Sequence, residues 1–149
     1  CADPSAAVPF LRAYQPQVVD HFYSTSASEI ASEITTAGYL SEPGPGNIFT
    51  AQQPTTVPFF RLFSAAATDH FYTTSATERD SFIASGNGYV SQGTAGFIYA
   101  TPDCGGIPLF RQFNPQMKDH FYTTSAAEAQ ISLNIHGYTD EGIAGYILP

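Results

Sequence analysis

A six-residue motif that occurs three times constrains this chain more than any other feature. The letters DHFYST stand at residues 20–25, and DHFYTT stands at 69–74 and again at 119–124. The motif starts lie 49 and then 50 residues apart, so it belongs to a longer internal repeat. Residues 8–49, 57–99 and 107–148 align almost without gaps and are called copies 1, 2 and 3 below. We expect a single domain over residues 1–149 that is built from these copies.

Each copy carries the same series of structural signals. An opening run, V/I-P-x-x-R-x-aromatic, precedes the hexapeptide by a short loop, which predicts a β-hairpin. A serine three residues before a glutamate follows, the pattern of a capping box at a helix start. Glycines then end the helix, and a last pair of strands with a glycine turn or bulge between them completes the unit. The predicted N-caps are Ser26, Ser75 and Ser125, and the predicted helix ends are Gly38, Gly86 or Gly88, and Gly137.

These signals predict an α+β fold of three β-β-α-β-β repeats of about 42–50 residues each. One such unit cannot bury both of its faces alone, so the three copies must pack on one another. We therefore expect a pseudo-threefold, propeller-like or trefoil-like closed arrangement.

The net charge and the cysteines indicate which partners and which compartment to expect for the protein. The formal net charge is −8 and Lys118 is the single lysine, which disfavours nucleic acid as a partner. No apolar run is long enough to cross a bilayer. The chain begins at Cys1, as expected after removal of a signal peptide. We also expect Cys1 and Cys104 to form a disulfide, which is typical of a secreted protein. Two free thiols, or a lipid-modified Cys1, are the alternatives.

The hexapeptide also supplies candidate ligand-binding residues. Its histidine and tyrosine form an aromatic and polar pair suited to a sugar site, with buried hydrogen-bonded structure as the equal alternative. Its aspartate and the preceding arginine, eight residues earlier, are expected to pair within a copy and fix the hairpin register, or else to bind sugar hydroxyls. The candidates are Arg12, Asp20, His21 and Tyr23 in copy 1, Arg61, Asp69, His70 and Tyr72 in copy 2, and Arg111, Asp119, His120 and Tyr122 in copy 3.

One further position bears on catalysis. Glu42, Gln92 and Glu141 are equivalent, and an essential carboxylate would not be replaced by an amide, so this position is a hydrogen-bonding candidate and not a catalytic one. No motif of a known hydrolase, nucleotide or metal enzyme occurs, and we expect neither an enzyme nor a cofactor. Convergence of His21, His70 and His120 on one metal ion is a minor alternative.

The pattern P-x-[FY]-R…DHFYTT…E…GY…EGIAGY resembles an uncharacterised family of secreted repeats from fungi and bacteria. Copy 3, which ends in DEGIAGYIL, is the most similar to that pattern, and copy 1 departs most, with Asn47 after its last glycine. The resemblance implies modules that occur alone or beside extracellular hydrolases, and hence glycan or cell-wall carbohydrate as the partner.

Together these observations predict a secreted, non-catalytic, lectin-like protein with up to three equivalent carbohydrate sites. Triplication favours multivalent binding, in which linked weak sites reinforce one another. A structural or protein-binding repeat module and a secreted hydrolase of unfamiliar design are the two alternatives.

Overall fold

The computed structural model describes residues 1–149, and antiparallel β-strands dominate it. Copy 1 contains β1 (Ala7–Gln15), β2 (Asp20–Ser24), α1 (Ala27–Ala37) and β3 (Leu40–Phe49). Copy 2 contains β4 (Thr56–Ser64), β5 (Asp69–Thr73), α2 (Ala76–Ala84) and β6 (Tyr89–Tyr99). Copy 3 contains β7 (Ile107–Asn114), β8 (Asp119–Thr123), α3 (Ala126–Ile135) and β9 (Thr139–Ile147).

Each copy is therefore a β-β-α-β unit, and the predicted pair of final strands is wrong. The hairpins β1–β2, β4–β5 and β7–β8 are formed as expected. The glycine-rich segment after each helix is one long strand that pairs along the first strand of its copy. Gly93 and Gly142 adopt φ of +85° and +84° without reversing the chain, and the pairing shifts register nearby, so these segments form bulges instead of turns.

The helix starts follow the predicted caps in all three copies. Ser26, Ser75 and Ser125 each accept a hydrogen bond from the backbone N–H of the glutamate three residues later, at 3.0–3.1 Å. The reciprocal half of the capping box is not made, because the glutamate carboxylates point to other partners described below. None of the three helices combines the length and the apolar character that crossing a membrane requires.

The central core is built equally by the three copies. It consists of one phenylalanine or leucine, one tyrosine and one isoleucine from each: Phe10, Tyr23, Ile48, Phe59, Tyr72, Ile98, Leu109, Tyr122 and Ile147. All nine side chains are buried, and the three tyrosine rings contact one another edge to face with centroids 5.3–5.5 Å apart. Burial of this shared core joins the copies into one folding unit, because no copy could remove these side chains from water alone.

The long strands also connect the copies. β3 pairs with β6 at Phe49 and Phe97, and β6 pairs with β9 at Tyr99 and Tyr146. A single bridge between Asn47 and Leu148 links copy 3 back to copy 1. The sheet itself is open at its outer strands β2, β5 and β8, so its pairing does not show a closed propeller or trefoil.

The predicted disulfide is present. Cys1 and Cys104 are bonded, with their Cα atoms 5.4 Å apart, and no free cysteine is left. The bond ties the N-terminal segment to the connection between copies 2 and 3. Ala2, beside Cys1, packs with Phe49 and Tyr99, which end β3 and β6, and with Leu148, which follows β9.

Candidate functional site

The three hexapeptide tyrosines lie in the interior, not in an exposed patch. Tyr23, Tyr72 and Tyr122 have no exposed surface. Tyr72 donates its hydroxyl to the carbonyl of Tyr23 at 2.7 Å and accepts from the N–H of that residue at 2.8 Å. The same two hydrogen bonds join Tyr122 to Tyr72 and Tyr23 to Tyr122. Of the two alternatives for these tyrosines, burial leaves the hydrogen-bonded structural one, since a side chain without exposed surface cannot contact a ligand.

The aspartate and histidine of the hexapeptide pair between copies. Asp119 accepts from the backbone N–H of His21 at 2.9 Å, and its second oxygen lies 2.6 Å from Nδ1 of the same histidine. Tyr138 donates its hydroxyl to that second oxygen. Asp20 binds His70 and Asp69 binds His120 in the same way. Each buried aspartate thus accepts hydrogen bonds from a histidine of the next copy and from a tyrosine of its own copy.

The three aspartates approach one another closely. One oxygen each of Asp20, Asp69 and Asp119 lies within 4.8 Å of the others, and all three side chains are fully buried. The histidines do not converge on a metal ion, because each directs Nδ1 to one of these carboxylates. Since every aspartate already accepts three hydrogen bonds, we assign the cluster to the scaffold.

The charge state of one of these pairs follows from its surroundings. Burial alone would lower the pKa of His120, but the hydrogen bond to Asp69 and the carboxylate of Glu141, 3.4 Å from Nε2, together outweigh burial and raise this pKa to about 9. His120 is therefore a cation at neutral pH, and its charge opposes the rise that burial causes in the pKa of Asp69.

The arginines do not bind the aspartates, so the predicted pairing within a copy is wrong. Arg12 instead forms a two-pronged ion pair with Glu128 of copy 3, with both N···O distances 2.9 Å. Arg61 binds Glu29 and Arg111 binds Glu78 in the same geometry. The register of the hairpin explains the error, because Arg12 stands opposite Tyr23 in the β1–β2 ladder while Asp20 stands opposite Gln15.

These ion pairs lie at the junctions between copies and change the pKa values of the glutamates. Hydrogen bonds from Arg61 lower the pKa of Glu29. Burial raises the pKa of Glu128, but the hydrogen bonds from Arg12 and Thr123 and the charge of Arg12 together outweigh burial, so this pKa lies below its usual value. Each guanidinium also lies over a phenylalanine of the neighbouring copy, as Arg12 does over Phe121 at 5.2 Å. The capping glutamates therefore join the copies as well as starting the helices.

Glu42 and Glu141 lie beside two of the same arginines, Arg12 and Arg111. Glu141 accepts a hydrogen bond from Nε of Arg111 at 3.0 Å. Oε1 of Glu42 is also 3.0 Å from Nε of Arg12, but the direction is unfavourable and neither atom has a hydrogen-bond partner. One carboxylate oxygen is therefore left without a donor in copy 1.

A cleft opens at that place between copy 3 and copy 1, and we call it the 3/1 cleft. Its volume is about 660 Å³. Copy 1 supplies Arg12, Tyr14, Val19, His21 and Glu42 to its wall. Copy 3 supplies Asn114, Met117, Phe121, Glu128, Ile131, Ser132, His136 and Tyr138. The ring of His21 lies between those of Tyr14 and Phe121, with centroid distances of 4.5 and 4.6 Å, so aromatic rings form one wall.

The clefts at the other two junctions between copies are smaller or filled. The junction between copies 1 and 2 holds a smaller cleft of about 350 Å³, lined by His70, Gln92 and Glu33 among others; we call it the 1/2 cleft. At the junction between copies 2 and 3, Phe82 stacks on Phe71 with ring centroids 3.9 Å apart and lies 6.0 Å from His120.

One helix position decides this difference. Phe82, Ser132 and Glu33 each follow the N-cap serine of their helix by seven residues. A phenylalanine ring occupies the space in copy 2, whereas the small Ser132 leaves it open in copy 3. The candidate site thus arises from a difference between the copies, whereas the sequence motif consists of what they share.

Of the predicted site residues, the structure brings Arg12, His21 and Glu42 together in the 3/1 cleft. The equivalents His70 and Gln92 line the 1/2 cleft. Several cleft residues were missed: Tyr14, Asn114, Glu128, Ser132 and Tyr138. Glu128 follows the predicted N-cap Ser125 by three residues, so the sequence indicated only a capping role for it. Comparison of the three helices position by position would have indicated Ser132.

The fold and the cleft define a class of protein: a β-rich domain of three interlocked copies with a polar and aromatic cleft between the last copy and the first. The family model described as "Domain of unknown function (DUF5648)" matches residues 9–148, and the chain belongs to this family. Searches of curated proteins and of solved structures returned no match.

Proposed function

We propose that this protein is a secreted, non-catalytic, lectin-like protein that binds carbohydrate in the 3/1 cleft. The observation that carries the proposal is the composition of that cleft, which combines aromatic walls with polar groups in about 660 Å³. Volumes of this size accommodate small ligands. The disulfide between Cys1 and Cys104 supports an oxidising, extracellular setting.

The chemistry of a sugar matches both kinds of wall. The C–H faces of a pyranose ring pack on aromatic rings such as Tyr14, and its hydroxyls need donors and acceptors. The side chain of Glu42 is 30 % exposed and its Oε2 accepts no hydrogen bond from the protein, and Asn114, His21 and His136 add further polar groups. A sugar hydroxyl could donate to this oxygen.

The pseudo-threefold arrangement belongs to the same proposal. The cyclic hydrogen bonds of the tyrosines and the Arg–Glu pairs recur at all three junctions and support an arrangement closed around one axis. In this arrangement the three junctions are not equivalent sites. The 3/1 cleft is the main site, the 1/2 cleft is a smaller second one, and Phe82 fills the third.

A glycan array with labelled protein, run with and without a chelator, tests the proposal. We expect wild type to bind a defined class of glycan equally in both conditions. Ser132→Phe should abolish that binding, because the ring would fill the 3/1 cleft as Phe82 fills the junction between copies 2 and 3. Ser132 is only 6 % exposed, so circular dichroism and the melting temperature verify that this variant keeps the fold. A blank array, or unchanged binding by Ser132→Phe, would contradict the proposal.

A protein-binding module is the second candidate, and one observation favours it. Met117, Ile131 and Ile135 are 42 %, 49 % and 72 % exposed, and the first two lie at the wall of the 3/1 cleft. Apolar groups exposed together at the edge of a cleft are typical of protein contacts. Replacing Ile135 with serine should leave glycan binding unchanged if the sugar proposal is right.

A further inference from the structure

We infer that the 3/1 cleft selects sugars that carry a free ammonium group, in preference to neutral sugars and to sugars with a carboxylate. The inference rests on the proposed function and adds to it the class of ligand. It follows from the balance of charge and of hydrogen-bonding groups in the cleft.

The guanidinium of Arg12 is committed to one of the two carboxylates. Both of its Nη atoms are paired with the two oxygens of Glu128, each at 2.9 Å, and its side chain is only 6 % exposed. Its remaining nitrogen, Nε, approaches Glu42 without forming a hydrogen bond. One arginine thus faces two carboxylates, and the second carboxylate is the less well satisfied.

The neighbouring histidine does not supply the missing donor. His21 directs Nδ1 to Asp119 at 2.6 Å, and its Nε2 is 3.8 Å from Oε1 of Glu42, which is beyond hydrogen-bonding distance. Oε1 of Glu42 is itself buried against Arg12, but the side chain is 30 % exposed and its other oxygen, Oε2, accepts no hydrogen bond from the protein. A ligand in the cleft can therefore reach Oε2. Lys118, the single lysine of the chain, is not among the cleft residues.

A ligand ammonium satisfies this carboxylate better than a hydroxyl does. Hydrogen bonds between an ammonium and a carboxylate are shorter and about twice as strong as those between neutral groups. A ligand carboxylate would instead meet Glu42, Glu128 and the net charge of −8 of the whole chain. The expected order of affinity is amino sugar, then neutral sugar, then acidic sugar.

The equivalent positions show how to test Glu42 without disturbing the fold. Copy 2 carries Gln92 at this position, so Glu42→Gln introduces a residue that the fold already accepts. Glu141→Gln is the matched control, because it makes the same change at the junction that Phe82 occupies. Circular dichroism and the melting temperature of each variant verify that the fold is intact.

The experiment is calorimetric titration with three oligosaccharides of equal length: glucosamine oligomers, N-acetylglucosamine oligomers and galacturonic acid oligomers. It is run at about pH 5.5, where the amine is protonated. We expect glucosamine oligomers to bind about tenfold more tightly than the acetylated ones, and this ratio to fall when salt screens the charges. Glu42→Gln should bind the glucosamine and the acetylated oligomers with equal affinity, whereas Glu141→Gln should keep the wild-type preference.

The outcomes separate this inference from the proposed function. Equal binding of the three oligomers, tighter binding of an uncharged or acidic one, or a full preference in Glu42→Gln would overturn the inference while carbohydrate binding stands. Absence of binding by all three oligomers and by the glycan array would overturn both.

Discussion

At the scale of single residues, the tyrosines of the hexapeptide explain why the motif is repeated. Each hydroxyl of Tyr23, Tyr72 and Tyr122 both donates and accepts across a junction, so a single side chain satisfies two backbone groups of another copy. Three copies of one motif are needed to complete this ring of hydrogen bonds. The repeated tyrosine is therefore a scaffold residue.

Tyr72→Phe should destabilise the protein although it removes one oxygen atom. The change leaves the carbonyl and the N–H of Tyr23 without their partner, at a cost of about 1–3 kcal/mol for each buried group. Urea denaturation measures the free energy of unfolding. Tyr99→Phe is the matched control, because the hydroxyl of Tyr99 is buried without a partner and its loss should be neutral or stabilising. Equal effects of the two substitutions would contradict this account.

At the scale of elements, the first turn of each helix joins one copy to the next. The carboxylate of Glu29 accepts from Ser24 of its own copy at 2.6 Å and from both Nη atoms of Arg61 in copy 2. Glu78 and Glu128 do the same with Arg111 and Arg12. A helix of about ten residues is marginal alone, and these contacts fix its start to the neighbouring copy.

The junctions predict that stability falls on both sides of mildly acidic pH. The pKa of Glu29 is lower in the folded state than its ordinary 4.5, so its contribution is present above pH 4.5 and is lost as pH falls through the folded pKa. The pKa of His120 is raised from 6.5 to about 9, so its contribution is present below pH 6.5 and is lost as pH rises toward 9. Melting temperatures between pH 3 and pH 10 measure the loss of stability at both ends of this range.

Two variants test whether Glu29 and His120 cause these two changes of stability with pH. Glu29→Gln should weaken the dependence of the melting temperature below pH 4.5, and Glu141→Gln should weaken the dependence above pH 6.5 because Glu141 supports the charge of His120. Asp80→Asn is the control, since Asp80 is exposed and pairs with Arg79 of its own helix. The account is wrong about the junctions if all three variants follow the wild-type curve.

Local signals predicted the elements well and the contacts between them poorly. The caps at Ser26, Ser75 and Ser125 were predictable because capping depends on residues three positions apart. The single long strand was not, because Gly93 and Gly142 have positive φ in a bulge as they would in a turn. The partner of Arg12 could not be predicted either, since Glu128 belongs to another copy and the sequence does not show how the copies face one another.

At the scale of the whole molecule, the disulfide links the N-terminus to the connection between copies 2 and 3. It joins residues 103 positions apart. Replacing Cys1 and Cys104 with alanine should lower the free energy of unfolding by about 4.7 kcal/mol in the chain-entropy model. Urea denaturation of the double variant beside the oxidised wild type measures this difference. A loss below about 1 kcal/mol would mean that the unfolded chain is already compact without the bond.

The cleft also belongs to the scale of the whole molecule, because two copies build it and the third differs. What the copies share is used for the scaffold: the tyrosine ring, the Asp–His pairs and the Arg–Glu pairs. What distinguishes them, Ser132 in place of Phe82, opens the 3/1 cleft. The shared residues of the sequence predict up to three equivalent sites, whereas the packing supports the proposal of one main site.

The number of binding sites tests this central claim most directly. Calorimetric titration with the glycan identified on the array should give one tight site per wild-type chain and none in Ser132→Phe. Phe82→Ser should add a site, because it removes the ring that fills the junction between copies 2 and 3. Three equal sites in wild type, or one tight site that survives in Ser132→Phe, would contradict the claim that the difference between the copies creates the binding site.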